Sequence, residues 1–151
     1  MKGNPKIAVV GCGIFGAMTA LKLSEKGFNV TIYDINAKPL QGASLNNQNR
    51  LHLGFHYPRD EGTALQCIKG FESFRKEFSQ CIMGGFNNAY FIASDGSLTS
   101  AEQYISFCDK LGLDYQVIDP LNFDPCVKSV DLGILCKEVV YDSQILSVII
   151  F

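Results

Sequence analysis

The sequence predicts an α/β fold, and three observations carry that prediction. A short apolar run, KIAVV, leads into a glycine-rich turn and then into an apolar pattern of helical period. A second run, NVTIYD, is β-branched and ends in an acid. Further along, strand-like runs alternate with helical patterns that carry start and stop signals. At 151 residues, 47% of them hydrophobic, the chain has the length and composition to bury one core.

Each element has a local reason. Residues 6–10 read as a buried strand and 11–16 as a tight turn. From 14 to about 26, Ala17, Met18, Ala20, Leu21 and Leu23 suit a helix that Gly27 can end. Residues 29–34 form the second strand. Residues 36–50 are polar and irregular, with Pro39 and Gly42. Residues 51–57 alternate strictly, with Leu51, Leu53, Phe55 and Tyr57 on one face and His52, Gly54 and His56 on the other. That pattern predicts a strand, closed by Pro58.

Thr63 with Gln66 makes a T-x-x-Q capping box, predicting a helix from 63 with Leu65, Ile68, Phe71, Phe74 and Phe78 as its apolar stripe. Residues 89–93 form a strand before an Asp95-Gly96 turn. Ser100 and Gln103 make another capping box, for a helix carrying Tyr104, Ile105, Cys108 and Leu111 and ending at Gly112. Residues 115–118 and 132–140 add further strands. The end, with Leu146, Val148, Ile149, Ile150 and Phe151, reads as an apolar run with no cap, no turn and no polar tail. Natural termini are usually polar, so the expectation is a cut chain whose continuation helps bury this run. The expected division is 1–85, an α/β part, and 86–151, an incomplete α+β part.

Composition narrows the function classes. The net charge is −2 with both signs interspersed, which gives no nucleic-acid footprint and no polybasic membrane patch. No apolar run reaches the length of a membrane span. The start loosely resembles a signal peptide, but glycines interrupt its apolar part. Six cysteines at 12, 67, 81, 108, 126 and 136 include no CxxC pair, so neither a zinc ribbon nor a thioredoxin-like site is signalled. The expectation is a soluble protein of a reducing compartment, the cytoplasm. Oligomeric state is left open.

The first chemical motif is Gly11-x-Gly13-x-x-Gly16. Such a motif is weak alone, but here a strand precedes it, a helix follows it, and the second strand ends in Asp34, about 20 residues on. Gly11 allows the tight turn, Gly13 lets backbone approach a pyrophosphate, and Gly16 lets helix and strand pack closely. Amides at the helix N-terminus then hold the phosphates. Asp34 can accept hydrogen bonds from ribose hydroxyls, and no arginine follows it for a 2′-phosphate. The context predicts a Rossmann-like unit binding FAD or NAD.

The second motif holds both histidines of the chain. On a strand rising about 3.3 Å per residue, His52 and His56 would stand roughly 13 Å apart, too far to share an ion. No metal site is expected. Gly54 between them would leave a flat backbone platform against which a planar ring can lie. His52 would donate to the ring edge or exclude solvent. Small and polar residues of the preceding loop, Ser44 and Asn47 among them, would line the cofactor's linker.

These residues resemble a known family. Gly11 to Gly27, Asp34, GASLNN at 42–47 and His52-Leu53-Gly54 are similar to the FAD-dependent oxidoreductases of the D-amino-acid oxidase family. Its second motif, G-A-S-x-x-N-x-G-x-x-H-x-G, is matched at Gly42, Ala43, Ser44, Asn47, His52 and Gly54, while Asn49 stands where the family usually has glycine. Asp34 replaces the commoner glutamate. Residues 88–119 resemble the opening of the family's substrate domain, and members are more than twice this length.

The resemblance implies FAD as cofactor and a small-molecule substrate. It implies oxidation of an amine, an amino acid or a 2-hydroxy acid by hydride transfer to flavin. Gly11, Gly13, Gly16 and Asp34 would hold the ADP half, Ser44 and Asn47 the pyrophosphate or ribityl chain, and His52 and Gly54 the isoalloxazine. Catalytic residues are left unassigned: Arg50 and Arg59 are candidate carboxylate anchors, but an arginine beside a strand is commonly a solvated charge. Two alternatives stay open, an NAD-dependent dehydrogenase domain and a truncated, non-catalytic dinucleotide-binding fragment.

Overall fold

The computed structural model describes residues 5–151. Packing divides them into two compact units: the residues up to Asn49 with Tyr141–Phe151, and Arg50–Val140.

In the first unit β1 (Lys6–Val10) and β2 (Asn29–Tyr33) pair in parallel, from Lys6 opposite Asn29 to Val10 opposite Tyr33. Parallel neighbours need a crossover, supplied by α1 (Ile14–Glu25), which buries Ala17 and Ala20. The helix ends in a Schellman closure: Gly27, at φ +84°, donates to Ser24 and Phe28 donates to Leu23. The apolar tail is the helix α4 (Ser143–Ile150), whose Leu146 is fully buried. It does have a cap. The Asp142 carboxylate accepts the Gln144 and Ile145 amides, so the uncapped run expected from sequence is corrected.

The second unit holds β3 (Arg50–Leu51), α2 (Glu61–Glu77), β4 (Ile82–Met83), β5 (Asn88–Ala93), α3 (Ala101–Leu111), β6 (Tyr115–Ile118), β7 (Val130–Cys136) and most of β8 (Val139–Tyr141). β7 lies between β5 and β6 and is antiparallel to both. A smaller sheet runs β3-β8-β4, with Arg50 opposite Val140 and Leu51 opposite Val139. The core gathers Phe55, Ala64, Tyr104, Phe107, Cys108, Leu132, Ile134 and Cys136. The Ser100–Gln103 capping box and the left-handed Gly112 stand where the sequence puts them.

Two expectations are corrected here. The strand at 51–57 stops at Leu51; two turns follow, closed by Tyr57 N–H to the Gly54 carbonyl and Asp60 N–H to the Tyr57 carbonyl. Gly54, at φ +104°, breaks the extended run, because only glycine takes that conformation cheaply. Helix α2 starts two residues early: Asp60, not Thr63, is its cap and accepts both the amide and the hydroxyl of Thr63. Phe55 and Ala64 share one core with residues of α3 and β7.

Candidate functional site

The glycine turn is built by backbone constraints. Gly11 sits at φ +96° and donates to the Tyr33 carbonyl at 2.7 Å, tying the turn to the end of β2. A Cβ on Gly16 would lie 1.9 Å from the Gly11 carbonyl oxygen, so this position admits glycine alone. Gly13 differs. A Cβ there would meet only the Ser44 Oγ, at an ordinary 3.5 Å. The protein itself does not demand glycine at 13, which fits a position kept bare for a ligand's close approach.

The first intrahelical bond of α1 runs from Ala17 N–H to the Gly13 carbonyl at 2.9 Å. The amides ahead of it are those a helix leaves without an internal acceptor. Ser44, buried, takes the one from Ile14 at 3.0 Å. Asp34 reaches the same turn: its carboxylate accepts the Cys12 amide at 2.5 Å and the Asn36 amide at 2.7 Å. Those two bonds, Asn36 first, hold its carboxyl below the usual range. Each carboxylate oxygen keeps a further lone pair for a ribose hydroxyl. Gly11, Gly13, Gly16, Asp34 and Ser44 are thus gathered at one helix N-terminus, and they fit the pyrophosphate and ribose of a dinucleotide. Asn47 plays a supporting part, accepting the Asn49 amide at 2.7 Å. Asn49 itself is at φ +50°, a left-handed setting that asparagine tolerates where the family usually has glycine.

His52 and Gly54 belong to the second unit, in a setting the sequence does not disclose. The side of Gly54 where a side chain would start faces helix α2, with the Ala64 carbonyl oxygen at 3.1 Å and its Cβ at 3.2 Å. Gly54 therefore has a packing reason as well as any ligand-facing one. The His52 and His56 rings stack, with centroids 5.5 Å apart, instead of standing on a strand at the larger spacing. The spacing argument against a shared ion therefore lapses. Among the described residues no group of three or more His, Cys, Asp or Glu could hold a metal ion.

The decisive neighbour is Glu138, which sequence reasoning missed. Its side chain is fully buried. Oε1 accepts the Leu53 amide at 2.7 Å; Oε2 accepts the Tyr90 hydroxyl at 2.7 Å and Arg50 Nη2 at 3.0 Å. His52 Nδ1 lies 3.4 Å from Oε2, an ion-pair distance without hydrogen-bond geometry. Burial alone would raise the Glu138 carboxyl, but the contacts of His52, Tyr90 and the Leu53 amide outweigh it and hold it below the ordinary range. Burial, then the carboxylate, pushes the Tyr90 hydroxyl far up, so it stays a donor. Arg50, whose guanidinium also lies over the Tyr90 ring at 5.2 Å, is committed to this cluster and is no free substrate anchor. Arg59 is exposed. A lone acid in the apolar stretch LGILCKEVVY was the available signal for Glu138. Burial pushes the Cys108 thiol up to about 12 and the Cys136 thiol up to about 11, which suits packing and not nucleophilic attack.

With this geometry in hand, comparison with known proteins is decisive. The family model for FAD-dependent oxidoreductases (DAO) matches residues 6–137. The chain belongs to that family. The FAD-dependent monooxygenase FPY4 of Fusarium mangiferae is 33% identical over 113 residues, which are 74% of this chain and 31% of that protein. Two solved structures share the fold: L-proline dehydrogenase from P. horikoshii, with a TM-score of 0.69 and 16% identity over 99% of this chain and 41% of that one, and glycine oxidase from Geobacillus kaustophilus, with 0.68 and 14% over 95% and 42%. The chain thus spans about a third to two fifths of the length of these relatives. This is an FAD family, which sets aside the nicotinamide alternative. Among the described residues no helix is long and apolar enough to cross a membrane.

Proposed function

We propose that this chain forms the FAD-binding part, and the opening of the substrate domain, of an oxidoreductase acting on a small amine, amino acid or 2-hydroxy acid. Residues 1–85 carry the cofactor segment and 86–151 begin the substrate domain. The carrying observation is the convergence of Gly16 on the Gly11 carbonyl with Asp34 and Ser44 at the start of α1. When bound, FAD supplies the hydride acceptor. Gly11, Gly13 and Gly16 bring bare backbone to the pyrophosphate, Asp34 accepts from the ribose, and Ser44 and Asn47 shape the loop beside the linker. His52 and Gly54 face the isoalloxazine. The amine-oxidising reading draws on two structural neighbours, an L-proline dehydrogenase and a glycine oxidase. A second reading, hydroxylation with O2, is favoured by the monooxygenase name of FPY4. The cytoplasm, as a reducing compartment, suits six cysteines that form no disulfide among the described residues.

The test is FAD titration of the purified 151-residue chain and of the polypeptide extended as its reading frame allows, followed by visible absorbance. Uptake of FAD by the chain and its loss in Gly13→Ala support the cofactor assignment. A longer protein that refuses FAD overturns it. Uptake without turnover by the 151 residues identifies a non-catalytic binding unit. With the longer protein, anaerobic bleaching by an amino acid favours the first reading; label from 18O2 in the organic product favours the second.

A further inference from the structure

Glu138 is the single charged side chain buried among the described residues, and its oxygens are already well supplied with donors. Beside them His52 Nδ1 is itself buried and hydrogen-bonds to nothing, with Glu138 Oε2 3.4 Å away. In a neutral imidazole one nitrogen carries the proton and the other a lone pair. A lone pair at Nδ1 would face the carboxylate's own electrons across that gap. A proton there faces a negative oxygen instead. Electrostatics therefore selects one tautomer.

We infer that Glu138 is a positioning residue for His52: it holds the neutral ring with its proton on Nδ1, leaving Nε2 as an outward hydrogen-bond acceptor for an N–H or O–H group. No group among the described residues bonds to that Nε2, and 28% of the side chain is open. The ring plane is held by stacking on His56, at 5.5 Å, and by the edge of Tyr57, at 6.3 Å. The role in catalysis rests on the proposed flavin-facing reading of His52; the tautomer does not. One consequence reverses the sequence-based expectation: a neutral His52 accepts from a flavin edge and does not donate to it.

The experiment uses the untagged 151-residue chain, whose only histidines are His52 and His56. Imidazole 15N–1H correlation at a pH where both rings are neutral reads each tautomer directly. The expected result is Nδ1–H for His52 and the solvent-like, Nε2–H-rich mixture for exposed His56. In Glu138→Met the His52 pattern should move to that of His56, while Arg50→Met, which keeps the carboxylate, should leave it in place. A wild-type His52 with its proton on Nε2 overturns the inference, and this needs no variant to fold. So does a folded Glu138→Met with an unchanged pattern. Added FAD separates the two readings: bound FAD that leaves the His52 signals unmoved overturns the flavin-facing assignment and leaves Glu138's role standing.

Discussion

The glycine turn and the histidine segment are both places where the chain presents backbone and a polar group, yet they are specified differently. The turn is written in a few consecutive residues: the reason for Gly16 is a carbonyl five residues earlier, and its acid sits at the end of the next strand. The histidine segment takes its geometry from Glu138, 85 residues beyond the Leu53 amide that it accepts. Local backbone constraints leave a spacing pattern in sequence. A long-range buried carboxylate leaves only a lone letter.

The sharpest way to break this comparison is Gly16→Val. The first added carbon already lies 1.9 Å from a backbone oxygen that is tied into the turn, so nothing nearby can yield cheaply. The expected loss is about 4 kcal/mol or more of stability, at the severe end for point substitutions, read by urea unfolding. Gly13→Ala should leave the unfolding curve almost unchanged and still abolish FAD uptake. If both variants lost stability equally, the distinction between a glycine kept for the fold and one kept for a ligand would fail.

The nonlocal counterpart is Glu138→Leu. Removing one member of a buried ion pair strands the others, here Arg50 and Tyr90, and typically costs about 3–5 kcal/mol. Glu138→Leu combined with Arg50→Met should recover part of that loss, because both charges then leave together. An additive double variant would show that the two side chains do not act as a pair.

Acid should find the same group. The Glu138 carboxyl lies below its ordinary value of 4.5 in the fold, so the unfolded chain binds its proton first as pH falls. Its contribution is complete above 4.5 and drains away as pH descends through the folded value. Unfolding free energy should therefore drop on acidification below that point, and drop less steeply in Glu138→Gln. Equal slopes would place the acid sensitivity elsewhere, Asp34 and Asp60 being the other carboxyls held low.

How much was legible follows the same division. The bounds of β1, those of α1 and β2 to within a residue, the Schellman glycine and the capping box of α3 are readable, because each rests on contacts within a few residues. The histidine segment reads as a strand because its alternation over 51–57 is a real period-two pattern. Gly54, which opens the first turn, and Pro58, which lies inside the second, read in sequence as a platform and a terminator. Asp60 was overlooked as a cap because Thr63 and Gln66 offered a better-known pattern three residues on, although a carboxylate accepts an amide at least as well. The cap of α4 escapes notice because Asp142 stands between the strand expected at 132–140 and the apolar run that starts at Leu146.

The smallest expected effect sharpens the comparison most. Ser44 and Ser100 do the same chemistry, each accepting a first-turn amide of a helix: Ile14 at 3.0 Å and Gln103 at 3.2 Å. Ser100 caps its own helix, whereas Ser44 reaches α1 from a loop 30 residues away. Either serine changed to alanine should cost about 1 kcal/mol, the usual loss for a cap. Only Ser44→Ala should also weaken FAD, because its hydroxyl stands 3.5 Å from where a Cβ on Gly13 would lie, beside the proposed pyrophosphate position. Thermal unfolding and FAD titration of the two variants side by side would read both quantities. If Ser100→Ala weakened FAD as much as Ser44→Ala, the cofactor would be sensing general stability. The convergence of Ser44 on the glycine turn would then be packing alone.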